Sequence, residues 1–174
     1  KQQQKISIPE AYNTGMSNYQ NGALKKALLF FYKIIKADPN HASSHHMLGV
    51  IAANTNQYEA ASKAMSEAIR LQPNNPEFLS NFVEVLRKVN KSEEAIEIGK
   101  RAVKANPNKA NAHSNLGLAF YDCEDLIEAE ASQRRAIALN PDYDHALNNL
   151  GSIAFDNEEY DEADGYPALG CQLY

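Results

Sequence analysis

Small residues and prolines return along this chain every 34 residues. Alanine holds five such positions, and only Val83 interrupts a matching series of glycines. The alanines are Ala27, Ala61, Ala95, Ala129 and Ala163, the prolines are Pro39, Pro73, Pro107 and Pro141, and the glycines are Gly15, Gly49, Gly117 and Gly151. A fixed period of about 20–50 residues is typical of a solenoid, in which each repeat is one supersecondary unit stacked on its neighbours.

The pattern of apolar residues in each repeat predicts two helices. In the fourth, apolar residues at helical spacing extend from Ala112 to Tyr121 and again from Ile127 to Leu139. The residue before a proline is disfavoured in the helical region, so Asn140 ends the second helix. One helix pair is too small to fold alone, and stability therefore has to come from the interfaces between repeats. We predict an all-α solenoid of stacked antiparallel helix pairs, with about ten helices or slightly fewer and no strands.

Local signals agree with this architecture. Glycine on the first helix and alanine on the second let the two axes of a pair approach closely. Glycine inside a helix costs about 1 kcal/mol relative to alanine, so its recurrence needs such a packing reason. Ser7 with Glu10 predicts a capping box, and Asn75 before Pro76 predicts an N-cap.

The spacing of Leu-Gly, of Ala twelve residues later and of Pro a further twelve residues on resembles the tetratricopeptide repeat. With the glycine at position 8, repeats start at Ile8, Ala42, Pro76, Ala110 and Asp144. We assign residues 8–164 to the array, residues 1–7 to a leader and residues 165–174 to a tail outside the repeat geometry. The fifth repeat is incomplete, because Gly165 and Pro167 interrupt its second helix, which carries Ala163 and is expected to stop near Asp164.

The family pattern also has departures here. Position 24 is often aromatic in this family, but the third and fourth repeats place Gly99 and Gln133 there. We therefore expect a thinner core in these two repeats.

The resemblance implies a right-handed superhelix whose first helices line a concave groove that binds an extended or helical peptide. The residues predicted to face this groove are Tyr12, Asn13, Tyr19, His46, Asn81, Arg87, Asn115, Tyr121, Asn149 and Phe155. For Tyr121 and Phe155 the alternative is packing between neighbouring helices.

Position 6 is asparagine in four of the five repeats, at Asn13, Asn81, Asn115 and Asn149. A side-chain amide offers both donors and acceptors, so a row of amides suits the backbone of a bound peptide. This row resembles the one in the repeat region of protein O-linked N-acetylglucosamine transferases. The alternative is that each amide bonds its own neighbours between repeats. The predicted function is a peptide-binding protein interaction scaffold, and the alternative is a non-catalytic, substrate-recruiting region of a larger enzyme such as a glycosyltransferase.

Several classes of site are excluded by residue type. Position 5 holds no lysine or arginine and position 9 no asparagine, so the carboxylate clamp of chaperone-binding members is absent. His41, His45 and His46 are clustered without a further ligand at metal spacing. No Gly-rich phosphate loop or nucleophile elbow occurs. We expect no enzymatic activity, cofactor or metal.

Charge and composition constrain the partners. The net charge of −5 disfavours nucleic acid, and the longest apolar run, Ala27 to Tyr32, is far below the roughly 20 residues that membrane insertion needs. Two cysteines form no disulfide framework, which favours the cytoplasm. Residues 1–109 hold 15 basic and 9 acidic groups, whereas residues 110–174 hold 2 and 13. Such polarised ends, or the C-terminal tail, could mediate self-association.

Overall fold

The computed structural model describes residues 7–163. Within this part of the chain there are nine α-helices and no strand. They are α1 (Ile8–Gln20), α2 (Leu24–Ala37), α3 (Ala42–Asn54), α4 (Tyr58–Leu71), α5 (Pro76–Lys88), α6 (Ser92–Ala105), α7 (Ala110–Tyr121), α8 (Leu126–Leu139) and α9 (Asp144–Ala163). The all-α repeat prediction is confirmed. None of these helices is both long and apolar enough to cross a lipid bilayer.

The helices form two layers. Each second helix (α2, α4, α6, α8) packs against the first helix of its own repeat and against the first helix of the next. The first helices α3, α5, α7 and α9 also contact one another in sequence order. We call α1, α3, α5, α7 and α9 the first-helix layer and the others the second-helix layer. Both predicted N-terminal caps are confirmed: Ser7 and Glu10 form the capping box of α1, and Asn75 caps α5.

One residue with positive φ occurs in each turn within a repeat. These residues are Gly22 (72°), Asn56 (59°), Asn90 (57°) and Glu124 (60°), all at repeat position 15. The left-handed region is least costly for glycine and is tolerated by asparagine. A backbone hydrogen bond closes each turn, as from the N–H of Ala23 to the carbonyl of Asn18 at 2.8 Å. The turn chemistry therefore repeats with the same period as the helices.

The fifth repeat differs from its expected form. The prediction of a turn followed by a second helix is wrong in the described residues, because α9 is continuous from Asp144 to Ala163. Glu158 holds position 15 and stays helical, although Glu124 takes the left-handed conformation at the same position. Residue type therefore does not decide the turn. In the other repeats the second helix packs on a following first helix, and no such helix follows α9 within residues 7–163. The proposed tail, residues 165–174, lies outside the described residues.

Neighbouring groups fill both positions that lack the family's aromatic residue. Gly99 is covered by Leu116 of the next repeat, whose Cδ1 lies 2.9 Å from where a Cβ would stand on Gly99. Gln133 is fully buried and donates through Nε2 to the backbone carbonyl of Ser114 at 3.0 Å. Its Oε1 is buried without a hydrogen bond in the described part of the chain. The fourth repeat thus replaces aromatic packing with one inter-helix hydrogen bond and one unsatisfied acceptor.

Alanine substitution at two equivalent glycines should have opposite effects. A Cβ on Gly117 would lie 2.7 Å from Gln133 Nε2 and 3.0 Å from the backbone oxygen of Ala129. Such overpacking typically costs about 1–3 kcal/mol, which outweighs the gain of about 1 kcal/mol in helix propensity. No described atom lies within 4 Å of a Cβ on Gly151, so only the gain remains there. Thermal denaturation should show Gly117→Ala melting below the wild type and Gly151→Ala above it, and the same sign for both would contradict this packing account.

Candidate functional site

Two rows of hydrogen bonds join successive first helices. Every bond in them links residues 35 apart, although the sequence repeats every 34. One row runs from position 5 to position 6 of the next repeat, through His46–Asn81, Ser80–Asn115 and Ser114–Asn149. The other runs from position 12 to position 13, through Tyr19–Asn54, Arg87–Asp122 and Tyr121–Asp156. In both rows a residue on one first helix therefore contacts the residue one repeat position further along in the next repeat. We call this the one-residue offset of neighbouring first helices.

In each amide of the first row only the NH₂ group forms a hydrogen bond within the described residues. Asn115 donates through Nδ2 to the backbone carbonyl of Ser80 at 3.0 Å, and Asn149 donates to Ser114 Oγ at 3.4 Å. Asn81 Nδ2 lies 3.0 Å from His46 Nε2. All three asparagines are half-buried, and within residues 7–163 their Oδ1 atoms accept no hydrogen bond. The inter-repeat alternative is thus observed for the NH₂ groups, while the carbonyl oxygens are unused.

Asn13 shares the repeat position but not the contacts. It lies on α1, is exposed, and forms no hydrogen bond to another described repeat. A change at Asn13 therefore tests ligand contact alone, whereas the other three asparagines also join neighbouring repeats.

His46 is placed inside the array. Only 3% of it is exposed, and its ring stacks on Phe78 with centroids 4.4 Å apart. Burial lowers the pKa of His46, against a smaller opposing effect of Glu77. The other two histidines of the cluster also have structural partners: His41 Nδ1 accepts from the Ser44 N–H at 3.2 Å, and His45 Nε2 lies 2.9 Å from the carbonyl of Pro39. Among the described residues no three His, Cys, Asp or Glu side chains are arranged to hold a metal.

The burial of His46 predicts a pH-dependent stability. Its folded-state pKa is lowered, so below the usual histidine pKa of about 6.5 the unfolded chain binds a proton more readily than the folded chain. The free energy of unfolding should therefore fall as the pH is lowered from about 7.5 to 5.5, with a slope of at most about 1.4 kcal/mol per pH unit from this group. In His46→Gln this contribution should vanish. Urea titrations at several pH values test this, and parallel curves for the two proteins would refute it.

Two open clefts lie on the first-helix layer. One, of about 370 Å³, is lined by Pro76, Glu77, Ser80, Asn81, Asn106, Lys109, Asn111 and Ala112. The other, of about 440 Å³, is lined by Glu84, Arg87, Lys88, Ser114, Asn115, Leu118, Tyr143, His145 and Asn149. The structure thus brings Asn81 to one cleft, and Asn115, Asn149 and Arg87 to the other. The sequence analysis missed Tyr143 and His145, which lie at and just after the turn between two repeats, where no periodic pattern singles out a residue.

The remaining predicted groove residues have mixed placements. Arg87 forms a two-bond ion pair with Asp122, at 2.6 and 3.0 Å, so its charge is largely neutralised. The hydroxyl of Tyr19 accepts from Asn54 at 2.9 Å, and Tyr121 donates to Asp156, a contact that raises the pKa of Tyr121.

The two outermost aromatic residues of the predicted groove differ in exposure. Tyr12 is half-buried and packs on Phe31, with centroids 5.6 Å apart. Phe155, by contrast, is 61% exposed. Of the two, Phe155 has the larger surface available for a ligand.

Sequence comparison identifies the repeat. Tetratricopeptide repeat family models match residues 18–80, 80–143 and 115–163, and together these matches extend from residue 18 to residue 163. The PEX5-related protein of Rattus norvegicus is 33% identical over 67 residues, which is 38% of this chain but only 11% of that relative. The match therefore spans a small part of the curated relative.

Solved structures agree on the fold. MamA from Desulfovibrio magneticus RS-1 superimposes with a TM-score of 0.79 at 22% identity, covering 91% of this chain and 89% of MamA. YrrB, described as a TPR protein with an unusual peptide-binding site, gives a TM-score of 0.75 at 22% identity over 90% of this chain and 81% of its own. At these identities the likeness is one of fold. With the family matches, the 34-residue period and the paired helices, it shows that the chain belongs to the tetratricopeptide repeat family.

Proposed function

We propose that the chain is a protein–protein interaction scaffold that binds an extended peptide segment along its first-helix layer. The observation that carries the proposal is the row of unused Oδ1 atoms on Asn81, Asn115 and Asn149, each beside an open cleft. A peptide backbone supplies N–H donors at nearly every residue. Contacts to those donors give affinity without demanding one sequence, so the range of partners is broad.

The inter-repeat hydrogen bonds support this role by orienting the amides. An Nδ2 held on the preceding repeat leaves the carbonyl of the same amide in a fixed position. An acceptor that is already ordered loses little conformational entropy when a ligand binds, and such pre-organisation raises affinity. YrrB, a structure of the same fold, is itself described as having a peptide-binding site.

The chemistry of the larger cleft indicates what kind of peptide fits. Glu84 and Lys88 place opposite charges in it, while Arg87 is already paired with Asp122. Leu118 and Tyr143 add apolar surface. A peptide of mixed charge with an occasional apolar side chain suits this cleft better than a nucleic acid or a uniformly acidic tail.

A second candidate is that the array recruits substrates for a larger enzyme such as a glycosyltransferase. The asparagine row supports it through the resemblance to O-linked N-acetylglucosamine transferases. In both candidates the array itself is non-catalytic, and we place it in the cytoplasm. The full coding sequence discriminates between them, since a catalytic domain beyond the repeats is required only by the second.

Selection from a displayed library of random peptides tests the scaffold proposal. We expect enrichment of many different sequences rather than one consensus, because the proposed contacts are to the backbone. Binding of several enriched peptides is then measured by isothermal titration calorimetry. Failure to enrich any peptide over an immobilised unrelated helical protein would overturn the proposal.

A further inference from the structure

The outer face of α2 differs from the outer faces of the other second helices. Leu29 and Tyr32 lie there one turn apart, each 60% exposed. Four exposed lysines surround them, at Lys25, Lys26, Lys33 and Lys36. We call these six residues the α2 lysine patch.

Repeat symmetry provides an internal comparison. The positions of Leu29 and Tyr32 are held by Lys63 and Ser66 in α4, by Glu97 and Lys100 in α6, and by Ala131 and Arg134 in α8. The repeat architecture therefore does not require large apolar side chains there. With most of their surface in solvent, Leu29 and Tyr32 contribute little to stability, so their presence needs another explanation.

The charges on α2 are also unusual for this array. Within its 14 residues α2 carries four lysines and no acidic residue, whereas α4, α6 and α8 each combine basic and acidic residues. No lysine of the patch forms an ion pair with another described residue. Lys33 Nζ lies 5.7 Å from the centre of the Phe30 ring. The patch therefore presents uncompensated positive charge around an apolar centre.

We propose that the α2 lysine patch binds the surface of an anionic lipid membrane. The lysine ammonium groups pair with headgroup phosphates and carboxylates, while Leu29 and Tyr32 enter the boundary between headgroups and acyl chains. A basic helix face with a few large apolar residues is the pattern of helices that lie in this boundary, and tyrosine is enriched there.

Lysine chemistry favours lipid over a protein partner. Lysine is depleted at the cores of protein interfaces. Its compact, strongly hydrated charge on a flexible stem suits mobile headgroups, whereas arginine suits the fixed geometry of a partner's carboxylate. The long aliphatic stems of lysine also let Leu29 and Tyr32 reach the edge of the acyl chains while the ammonium groups stay in the headgroup layer.

The overall charge of −5 does not oppose this contact. The acidic excess lies in residues 110–174, beginning three repeats away from the first. Helix layers pack about 8–10 Å apart, so this excess is roughly 25 Å distant, beyond the Debye length of about 10 Å at 0.1 M salt. The patch is on the second-helix layer, opposite the clefts, so the proposal stands independently of peptide binding.

Vesicle flotation tests the proposal. The chain should float with phosphatidylcholine vesicles that contain phosphatidylserine, fail to float with phosphatidylcholine alone, and be released by added salt. Each lysine near an anionic surface contributes about fivefold in affinity, so Lys25→Gln with Lys36→Gln should weaken binding about 25-fold. Leu29→Ser with Tyr32→Ser should weaken it by at least about tenfold, because apolar burial is lost.

The matched control removes the same net charge elsewhere. Lys100→Gln with Lys104→Gln alters two exposed lysines on α6, two repeats from α2. At about 8–10 Å per repeat they lie roughly 16–20 Å from the patch, beyond the Debye length of about 10 Å at 0.1 M salt, so binding should stay within about twofold of the wild type. Circular dichroism establishes that every variant is folded. The proposal is overturned if the wild type does not float with phosphatidylserine vesicles at low salt. It is equally overturned if the two pairs of lysine substitutions weaken binding to the same extent.

Discussion

Phe31→Ala is expected to lower the free energy of unfolding of the first repeat by about 3–5 kcal/mol, the usual cost of removing a buried phenylalanine ring. Phe31 is fully buried and packs against both Gly15 and Tyr12. Its ring lies where a Cβ on Gly15 would stand, with Cε1 2.9 Å from that point. The surrounding side chains relax only partly into the resulting cavity, and this adds to the cost of the lost burial.

The loss should be local, because each repeat contacts only its neighbours. Hydrogen exchange should show protection lost across α1 and α2 and retained in α5 to α8. Tyr32→Ala is the matched control: it truncates the adjacent aromatic residue, which is 60% exposed, and should change stability by no more than about 0.5 kcal/mol. Equal effects of the two substitutions would show that the α1–α2 interface is not organised around Phe31.

The second large effect concerns peptide binding. Changing Asn81, Asn115 and Asn149 together to alanine should weaken binding of a library-selected peptide by about tenfold to a thousandfold. The estimate follows from about 0.5–1.5 kcal/mol for each neutral hydrogen bond that is lost. The same change also removes three inter-repeat contacts, so binding has to be measured by calorimetry at a temperature where circular dichroism shows a native helical spectrum.

Two controls separate binding from stability. Ser80→Ala with Ser114→Ala removes buried hydroxyl partners of the amides without altering any Oδ1 atom. Stability should fall, and peptide affinity should fall less than in the triple variant, because the amides lose part of their orientation but keep their acceptors. Asn13→Ala removes an exposed amide without inter-repeat contacts, so affinity should fall several-fold at unchanged melting temperature. Unaltered binding by the triple variant would refute the role of the Asn81, Asn115 and Asn149 Oδ1 atoms in peptide binding.

The sequence by itself determined the period, the helix pairs of the first four repeats and the prolines that follow their second helices. Glycine at position 8 in most repeats, alanine at position 20 and proline at position 32 serve packing or termination within a single repeat, and such local features are visible in residue type and spacing. The capping residues Ser7 and Asn75 were predictable for the same reason, because a cap depends on only a few neighbouring residues.

The tertiary structure decided what happens between repeats. Contacts 35 residues apart depend on the one-residue offset of neighbouring helices, which no pattern within one repeat encodes. That offset directs the amide NH₂ groups to the preceding repeat while their carbonyls stay beside the clefts. The burial of His46 against Phe78 is likewise a contact between repeats. The continuity of α9 likewise cannot be read from residue type, because glutamate holds position 15 in both repeats, in a turn at Glu124 and within a helix at Glu158.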